Sequence, residues 1–407
     1  MKERLKMAVI GLGQRGYSLL DAVLVRQNDV EIVAVCDAYQ DRVERAQKLV
    51  KEINGIDAFG TIDYKEVFEQ KLDAVLVATA WEQHVEVTLY ALEKGIAVAM
   101  EVGGTYSENE LWELVRTQQR TKTPFMFMEN CCFDKTELLA TSMARKGVFG
   151  KIVHMAGAYG HDLRKEIASG NKIRHYRLRN YMKRNCENYP THEIGPIAKV
   201  LDINRGNRFV SLVSVASKAE GLKEYVKENA ETYPELQDVT FKQGDIVTTI
   251  ITCANGETVT LRLDTTLPRF YARDFTVRGT KGFYEQNTNT VFLEGDKEDW
   301  VAVNSYKRFI DNAVEYEQEY LPSFWKNITE EQMKAGHGGM DYFEFRHFID
   351  CIKEGSEPAI DVYDAATWMM ISVLSEQSIA LGGAPVLFPD FTEGKWLYRE
   401  RKDVCEM

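Results

Sequence analysis

Residues 7–37 read M-A-V-I-G-L-G-Q-R-G-Y-S-L-L-D-A-V-L-V-R-Q-N-D-V-E-I-V-A-V-C-D. The apolar run 7–10 has the length and composition of a buried parallel strand. Gly11, Gly13 and Gly16 follow it in G-x-G-x-x-G spacing. Gly11 permits a tight turn out of the strand, Gly13 leaves the backbone bare for a pyrophosphate, and Gly16 lets the next helix pack close to the sheet. The amides of that helix's first turn then face the phosphates, where the helix dipole favours negative charge. A second apolar run, 30–36, ends in Asp37, 21 residues after Gly16. A carboxylate there accepts hydrogen bonds from an adenosine ribose and repels a 2′-phosphate, which predicts NAD over NADP. Arg15, a base close by, pulls the other way. Strand, glycine turn, helix and closing acid in that order are far more specific than the glycines alone.

The chain's 407 residues suffice for two domains with sizeable cores. At 44% hydrophobic and 28% charged, its composition is ordinary for a globular protein. A net charge of −12 speaks against a broad nucleic-acid-binding surface. No apolar run reaches the roughly 18 residues of a membrane span. Residues 1–6 run straight into the first strand, which leaves no room for a signal peptide and predicts a cytoplasmic protein. The seven cysteines, at positions 36, 131, 132, 186, 253, 351 and 405, contain no C-x-x-C pair. Free thiols and no metal site are expected.

Residues 1–128 alternate strand and helix patterns, with helices expected at 41–53, 84–94 (capped by Gly95) and 107–120 (N-capped by Ser107), and strands at 73–79, 96–101 and 124–128. Repeated β-α units imply a parallel sheet with right-handed crossovers. Its ligands bind beyond the carboxyl ends of the strands, where Trp81, Gln83, His84, Glu101, Val102, Gly103 and Asn130 fall. After a helix at about 135–146 the pattern changes to strands at 150–157, 211–217, 246–253, 258–265, 274–279 and 290–295. Asn255-Gly256 marks a hairpin turn, and Lys281-Gly282 another turn. Helices are expected at 340–353 and 363–380. The fold class is therefore an α/β Rossmann domain (1–128) followed by an α+β substrate-binding and oligomerisation domain (129–407) on a large, mostly antiparallel open sheet. Such a sheet leaves apolar surface in water, which predicts a homo-oligomer.

The densest chemistry lies between Tyr159 and Pro196. Arg177, Lys183 and Arg184 lead into Tyr189-Pro190-Thr191-His192-Glu193. Pro190 restrains Tyr189 to an extended conformation, and Thr191 is expected to N-cap the helix that follows, with Ile197, Val200 and Leu201 on its buried side. Imidazole and phenol at a rigid helix entrance suit proton transfer to or from a sugar-like substrate. The alternative is a satisfied capping histidine beside a core tyrosine. The glycine-rich loop at His337-Gly338-Gly339-Met340-Asp341 is either a close approach to a ligand or a helix entrance. Tyr271, at the end of the strand pattern carrying Asp264, is by itself a surface turn. Trp300, Trp325, Trp368 and Trp396 are expected to serve mostly in packing.

With both halves in view, residues 7–396 resemble the Gfo/Idh/MocA oxidoreductase superfamily and, within it, glycoside hydrolase family 109, the NAD-dependent α-N-acetylgalactosaminidase group. The motifs that carry the resemblance are G-L-G-Q-R-G, W-E-Q-H at 81–84, Glu101-Val102, Glu129-Asn130, A-Y-G-H-D-L-R at 158–164, Y-P-T-H at 189–192, I-N-R-G at 203–206, H-G-G-M-D at 337–341 and F-P-D-F-T at 388–392. Sugar dehydrogenases of the superfamily carry Glu-Lys-Pro where this chain has Glu101-Val102-Gly103. Val102 cannot move a proton, so Tyr189 and His192 are the groups left for that work. The resemblance implies a glycosidase in which NAD+ takes hydride from C3, His192 removes the acidified C2 proton, the aglycone leaves by elimination, water adds, and the hydride returns. Tyr189 is expected near O3. Cofactor contacts carry over to Gln14, Arg15, Asp37, residues 81–84, Glu101, Val102 and Asn130, and substrate contacts to Tyr159, Arg177, Tyr189, Thr191, His192 and Tyr271. The segment 184–188 departs from the family's usual Arg-Asn-Gly-Asn, and Glu193 stands where a glycine is usual, which bears on sugar specificity. The alternatives are an NAD-dependent sugar or cyclitol dehydrogenase that releases NADH, and a non-catalytic NAD-binding or sugar-sensing protein.

Overall fold

The computed structural model describes residues 4–103, 105–296 and 305–407; Trp300 lies outside them. Packing divides the chain into two units, residues 1–133 with 327–366, and residues 134–326 with 367–407. These bounds differ from a single cut after residue 128. The short 3-10 turn Asn130–Phe133 and the late helix Met340–Glu354 pack on one another inside the first unit.

The first unit holds a parallel sheet of β1 (Leu5–Ile10), β2 (Val30–Cys36), β3 (Phe59–Thr61), β4 (Ala74–Val77), β5 (Ala97–Glu101) and β6 (Phe125–Met128). The order is β3-β2-β1-β4-β5-β6. The order in which strands are added reverses between β1 and β4, which run parallel, and the crevice beyond their carboxyl ends is where such sheets bind ligands. β4, β5 and β6 are buried throughout, which is why they read as unbroken apolar runs. The helix expected from residue 84 begins at Trp81 and runs to Glu93, placing Trp81 and His84 in its first turn. Ser107 caps the helix Glu108–Thr121 by accepting from the Glu110 amide at 3.3 Å. β3 and the helix Tyr64–Val67 escaped the periodic pattern because both are under five residues long.

The second unit is built on β7 (Ile152–Gly160), β8 (Phe209–Ala216), β9 (Ile246–Cys253), β10 (Thr258–Asp264), β11 (Thr276–Gly279), β12 (Gly282–Glu285), β13 (Thr290–Leu293) and β14 (Val386–Leu387). They lie in the order β13-β12-β11-β7-β10-β9-β8-β14, antiparallel except for β7 beside β10. Gly256, at φ +97°, makes the β9–β10 turn. One face of β9 buries Val247, Thr249, Ile251 and Cys253. Against that covered sheet lies the helix Thr191–Val200. A Cβ on Gly157 of β7 would stand 3.0 Å from the Glu193 Cβ and 3.1 Å from Ile197 Cδ1. The missing side chain therefore lets this helix lie close on the strand.

One expectation about that helix is corrected. Thr191 is its first helical residue and not its cap. Pro190 takes the N-cap place, already in a helical conformation at φ −72° and ψ −17°, so the chain turns one residue earlier. Ile197, Val200 and Leu201 are buried as expected, and burial extends to every residue of the helix except His192.

Candidate active site

At the end of β1 the three glycines separate into two kinds. A Cβ on Gly11 would stand 2.3 Å from the Ala78 carbonyl oxygen, and one on Gly16 would stand 1.9 Å from the Gly11 oxygen. Both are required by the fold. Gly13 is different: a Cβ there would meet only Arg42 Nη1, at 3.7 Å. Among the described residues no other atom beyond the adjoining chain comes within 4 Å of that position, and the helix Gln14–Ala22 has no side-chain cap. Bare backbone beside uncapped first-turn amides fits a dinucleotide pyrophosphate. Asp37, at the end of β2, is buried and accepts from the Leu12 amide at 2.7 Å and the Tyr39 amide at 3.0 Å. Its carboxylate is fixed in place with lone pairs left over for a ribose.

Arg15 does not bear on Asp37. Its Nε donates to Glu101 Oε1 at 2.8 Å, and its Nη1 and Nη2 reach Asp341 at 2.7 and 3.0 Å. The base beside Asp37 is Arg42, 3.5 Å away. Asp341 also accepts from Asn130 Nδ2 at 2.8 Å and faces His337 Nδ1 at 2.9 Å. Burial works to raise the Asp341 pKa, but Arg15 and His337 hold it well below the ordinary carboxylate range. The H-G-G-M-D loop is thus a helix entrance that delivers Asp341 to Arg15. A Cβ on Gly336 would stand 2.3 Å from Asp341 Oδ2, so that approach needs glycine. Glu344, one turn on, is fully buried with neither oxygen hydrogen-bonded. Burial, with Glu101 and Asp341 adding repulsion, pushes it well above the usual range.

Trp81 and His84 are buried beside Gly103, whose Cβ would stand 2.8 Å from Trp81 Cδ1 and 3.2 Å from His84 Cδ2. The change from Glu-Lys-Pro therefore does more than remove a lysine, since glycine makes room for these two rings. Burial pushes the His84 imidazole down to about 4, and its Nε2 has no hydrogen-bond partner. Val102 is buried and donates its amide to Glu101 Oε2 at 3.1 Å, while Gln14 and Gln83 are exposed.

In the second unit the expected substrate residues come together around one aromatic cluster. Tyr189 and His192 meet edge to face with ring centres 4.8 Å apart, and Tyr159 lies 4.6 Å from Tyr189 and 5.7 Å from His192. Arg177 places its guanidinium 5.1 Å from the Tyr189 ring centre and 3.4 Å from Glu166 Oε1. Burial opposes its charge, but Tyr159, Tyr176 and Glu166 more than offset this and raise its pKa. The buried hydroxyl of Thr191 and the Asn188 Oδ1 have no hydrogen-bond partner, an arrangement that sugar hydroxyls or an acetamide would satisfy. Tyr271 is half exposed, its ring centre 6.5 Å from that of Tyr159, and its hydroxyl accepts from Arg273 Nη1 at 3.3 Å. Tyr271 is thus part of the cluster, where the sequence pattern offered only a turn. Trp325 and Trp368 are buried.

Two features escaped the sequence reading. His161 stands between Tyr159 and Tyr271, with ring centres 6.0 and 5.2 Å away. Its signal was the A-Y-G-H-D-L-R motif. Glu187 and Glu193 form a fully buried carboxyl pair at the two ends of the Y-P-T-H segment.

Residues 133–398 match the family model described as glycosyl hydrolase 109, C-terminal domain. Residues 5–127 match that of the oxidoreductase family, NAD-binding Rossmann fold. A glycosyl hydrolase family 109 protein of Stenotrophomonas maltophilia is 39% identical over 98% of this chain and 91% of its own. An alpha-N-acetylgalactosaminidase of Tannerella forsythia is 35% identical over 97% of this chain and 88% of its own. Among solved structures, an inositol dehydrogenase homolog of Azotobacter vinelandii complexed with NAD+ superposes with a TM-score of 0.68 at 16% identity, covering 95% of this chain and 98% of that one. A myo-inositol 2-dehydrogenase of Lactobacillus plantarum gives 0.67 at 19%, covering 95% and 100%. At that identity the likeness speaks for the fold alone.

Proposed function

This chain belongs to glycosyl hydrolase family 109 and carries an NAD-binding Rossmann domain, and from that premise we propose that it cleaves N-acetylgalactosaminide-type glycosides by a redox-assisted elimination. The observation that carries the reading is the Tyr189–His192 contact on a helix that exposes only His192. NAD+ held at the glycine turn would supply a hydride acceptor for C3 that is regenerated over a cycle. Gln14, Arg15, Asp37, Trp81, Gln83, His84, Glu101, Val102 and Asn130 are the residues that would hold or frame it.

The remaining steps belong to this chain's own groups. The His192 imidazole takes the C2 proton once C3 carries a carbonyl. The Tyr189 oxygen accepts the O3 proton as C3 is oxidised, then donates it back in a hydrogen bond to O3 as negative charge develops there, with the Arg177 cation over its ring. Thr191 and Asn188 meet the sugar's polar groups, and the Tyr159 and Tyr271 rings pack on its apolar faces. This is an exception to the two-carboxylate scheme of most glycosidases. No metal enters the scheme.

We place the protein in a reducing compartment, in keeping with seven cysteines that form no disulfide. No helix among the described residues is long and apolar enough to cross a membrane. What supports pairing through the open face of the second sheet is that Val215, Ile250 and Leu387 share that face and are 54%, 50% and 74% exposed.

The test is proton NMR of an aryl α-N-acetylgalactosaminide incubated with the protein in D2O. Aglycone release with deuterium entering C2 is expected. Release with no C2 exchange means direct displacement, and NADH accumulating on a free sugar means a dehydrogenase.

A further inference from the structure

The proposed elimination moves protons at three places: O3, C2 and the departing aglycone oxygen. Tyr189 and His192 account for the first two. The third has no donor among the residues assigned so far. The nearby acids are engaged, Asp162 with Arg164 at 2.7 Å and Glu166 with Arg177 at 3.4 Å.

His161 is the group left over. It is half-buried at the end of β7, edge-on to Tyr271 at 85° and to Tyr159 at 81°. Its Nδ1 lies 3.4 Å from the Tyr159 hydroxyl, a length typical of catalytic hydrogen bonds before substrate tightens them. When Nδ1 accepts from the phenol, Nε2 carries the ring proton. Among the described residues Nε2 makes no hydrogen bond.

We propose that Tyr159 and His161 form a proton relay to the leaving group, His161 Nε2 protonating the glycosidic oxygen while Tyr159 hands its hydroxyl proton to His161 Nδ1. The electron pair left at C2 forms the C1=C2 bond, and the C1–O pair departs on the oxygen that receives the proton. The relay ends as a Tyr159 phenolate beside an imidazole protonated on Nδ1. Water addition reverses it: the water oxygen bonds to C1, its proton goes to Nε2, and the Nδ1 proton returns to Tyr159. Two features support a relay over a standing imidazolium. Burial and the Arg177 charge hold the His161 pKa down, so the ring is neutral at neutral pH. Arg177 also lies close enough to Tyr159 to stabilise a phenolate.

This assignment rests on the glycosidase reading, and the test separates the two. Release of nitrophenol and of methanol is measured from the matching α-N-acetylgalactosaminides, together with C2 deuterium uptake by recovered glycoside in D2O, for the wild-type protein, His161→Gln and Tyr159→Phe. A nitrophenolate leaves unaided and methoxide does not. His161→Gln should slow methanol release about a hundredfold or more and nitrophenol release less than about tenfold, with C2 exchange retained. Tyr159→Phe, which keeps the ring packing, should show the same ordering with a smaller gap. Equal slowing of both aglycones, or loss of C2 exchange, overturns the relay. A wild-type protein that releases neither overturns the glycosidase reading, and the relay with it.

Discussion

Glu187 and Glu193 bury their carboxyl groups against one another, clamping the segment that carries Tyr189 and His192 between them. Glu193 Oε2 also accepts from the Arg262 amide of β10 at 3.2 Å, and the Glu187 amide donates to Ser375 Oγ at 2.6 Å. Neither Glu187 oxygen nor Glu193 Oε1 has a hydrogen-bond partner among the described residues. Burial raises Glu193 from 4.5 to about 8, and burial together with Glu193 raises Glu187 further.

Both shifts are upward, so the folded protein holds protons that the unfolded chain has released above pH 4.5. Stability should therefore fall as pH rises from about 4.5 through 8. In Glu193→Gln that slope should flatten, because Gln keeps the acceptor without the ionisation. Thermal melts from pH 5.5 to 8.5 read it out, and parallel slopes for the two proteins would show that Glu193 is not held in its protonated form.

Gly13→Ala separates folding from cofactor binding. The added methyl meets only Arg42 Nη1 at 3.7 Å, and Gly13 has an ordinary φ of −62°. Folding stability should change by less than about 1 kcal/mol, while NAD affinity drops about tenfold or more. Gly11→Ala, aimed at the Ala78 carbonyl, should fail to fold. Cofactor titration with a melt decides it; unchanged NAD affinity in Gly13→Ala would mean the phosphates sit elsewhere.

His192→Ala should cut turnover by about a thousandfold and leave NAD binding intact, while Tyr189→Phe should lower it less, about ten- to a hundredfold. A His192→Ala protein that still exchanges the C2 proton at the wild-type rate shows that another group is the base.

Asp341→Ala leaves Arg15 facing Glu101 alone and strips Asn130 and His337 of their acceptor. The cost should be about 2–4 kcal/mol, below that of a fully buried pair because Arg15 is partly exposed. Its folded pKa is depressed, so this contribution is present above the ordinary 3.8 and is lost as pH falls below it. Urea melts at pH 7 and pH 3 should show the wild-type advantage shrinking, and an equal gap at both pH values would count against the ion pair.

Ile250→Glu places a charge on the open face of the second sheet. If that face pairs two copies, light scattering should show a lower mass with the melt of each subunit little changed. An unaltered mass points to another interface.

The glycine turn, Asp37 and five of the six parallel strands were legible in the sequence because each depends on neighbours in the chain: a strand's apolar run, a positive φ at Gly11, an acid at the next strand's end. The hairpin at Asn255-Gly256 was legible for the same reason. Tyr189 and His192 were legible as a pair because only two residues separate them at a helix entrance. Tertiary structure alone decided what Arg15 does, since its partners Glu101 and Asp341 lie 86 and 326 residues away. It alone brought His161 and Tyr271 to Tyr159, and closed Glu187 on Glu193. Local backbone preference is written in consecutive residues. The partner of a buried charge is set by which strands and helices come to lie side by side, and no spacing along the chain records that.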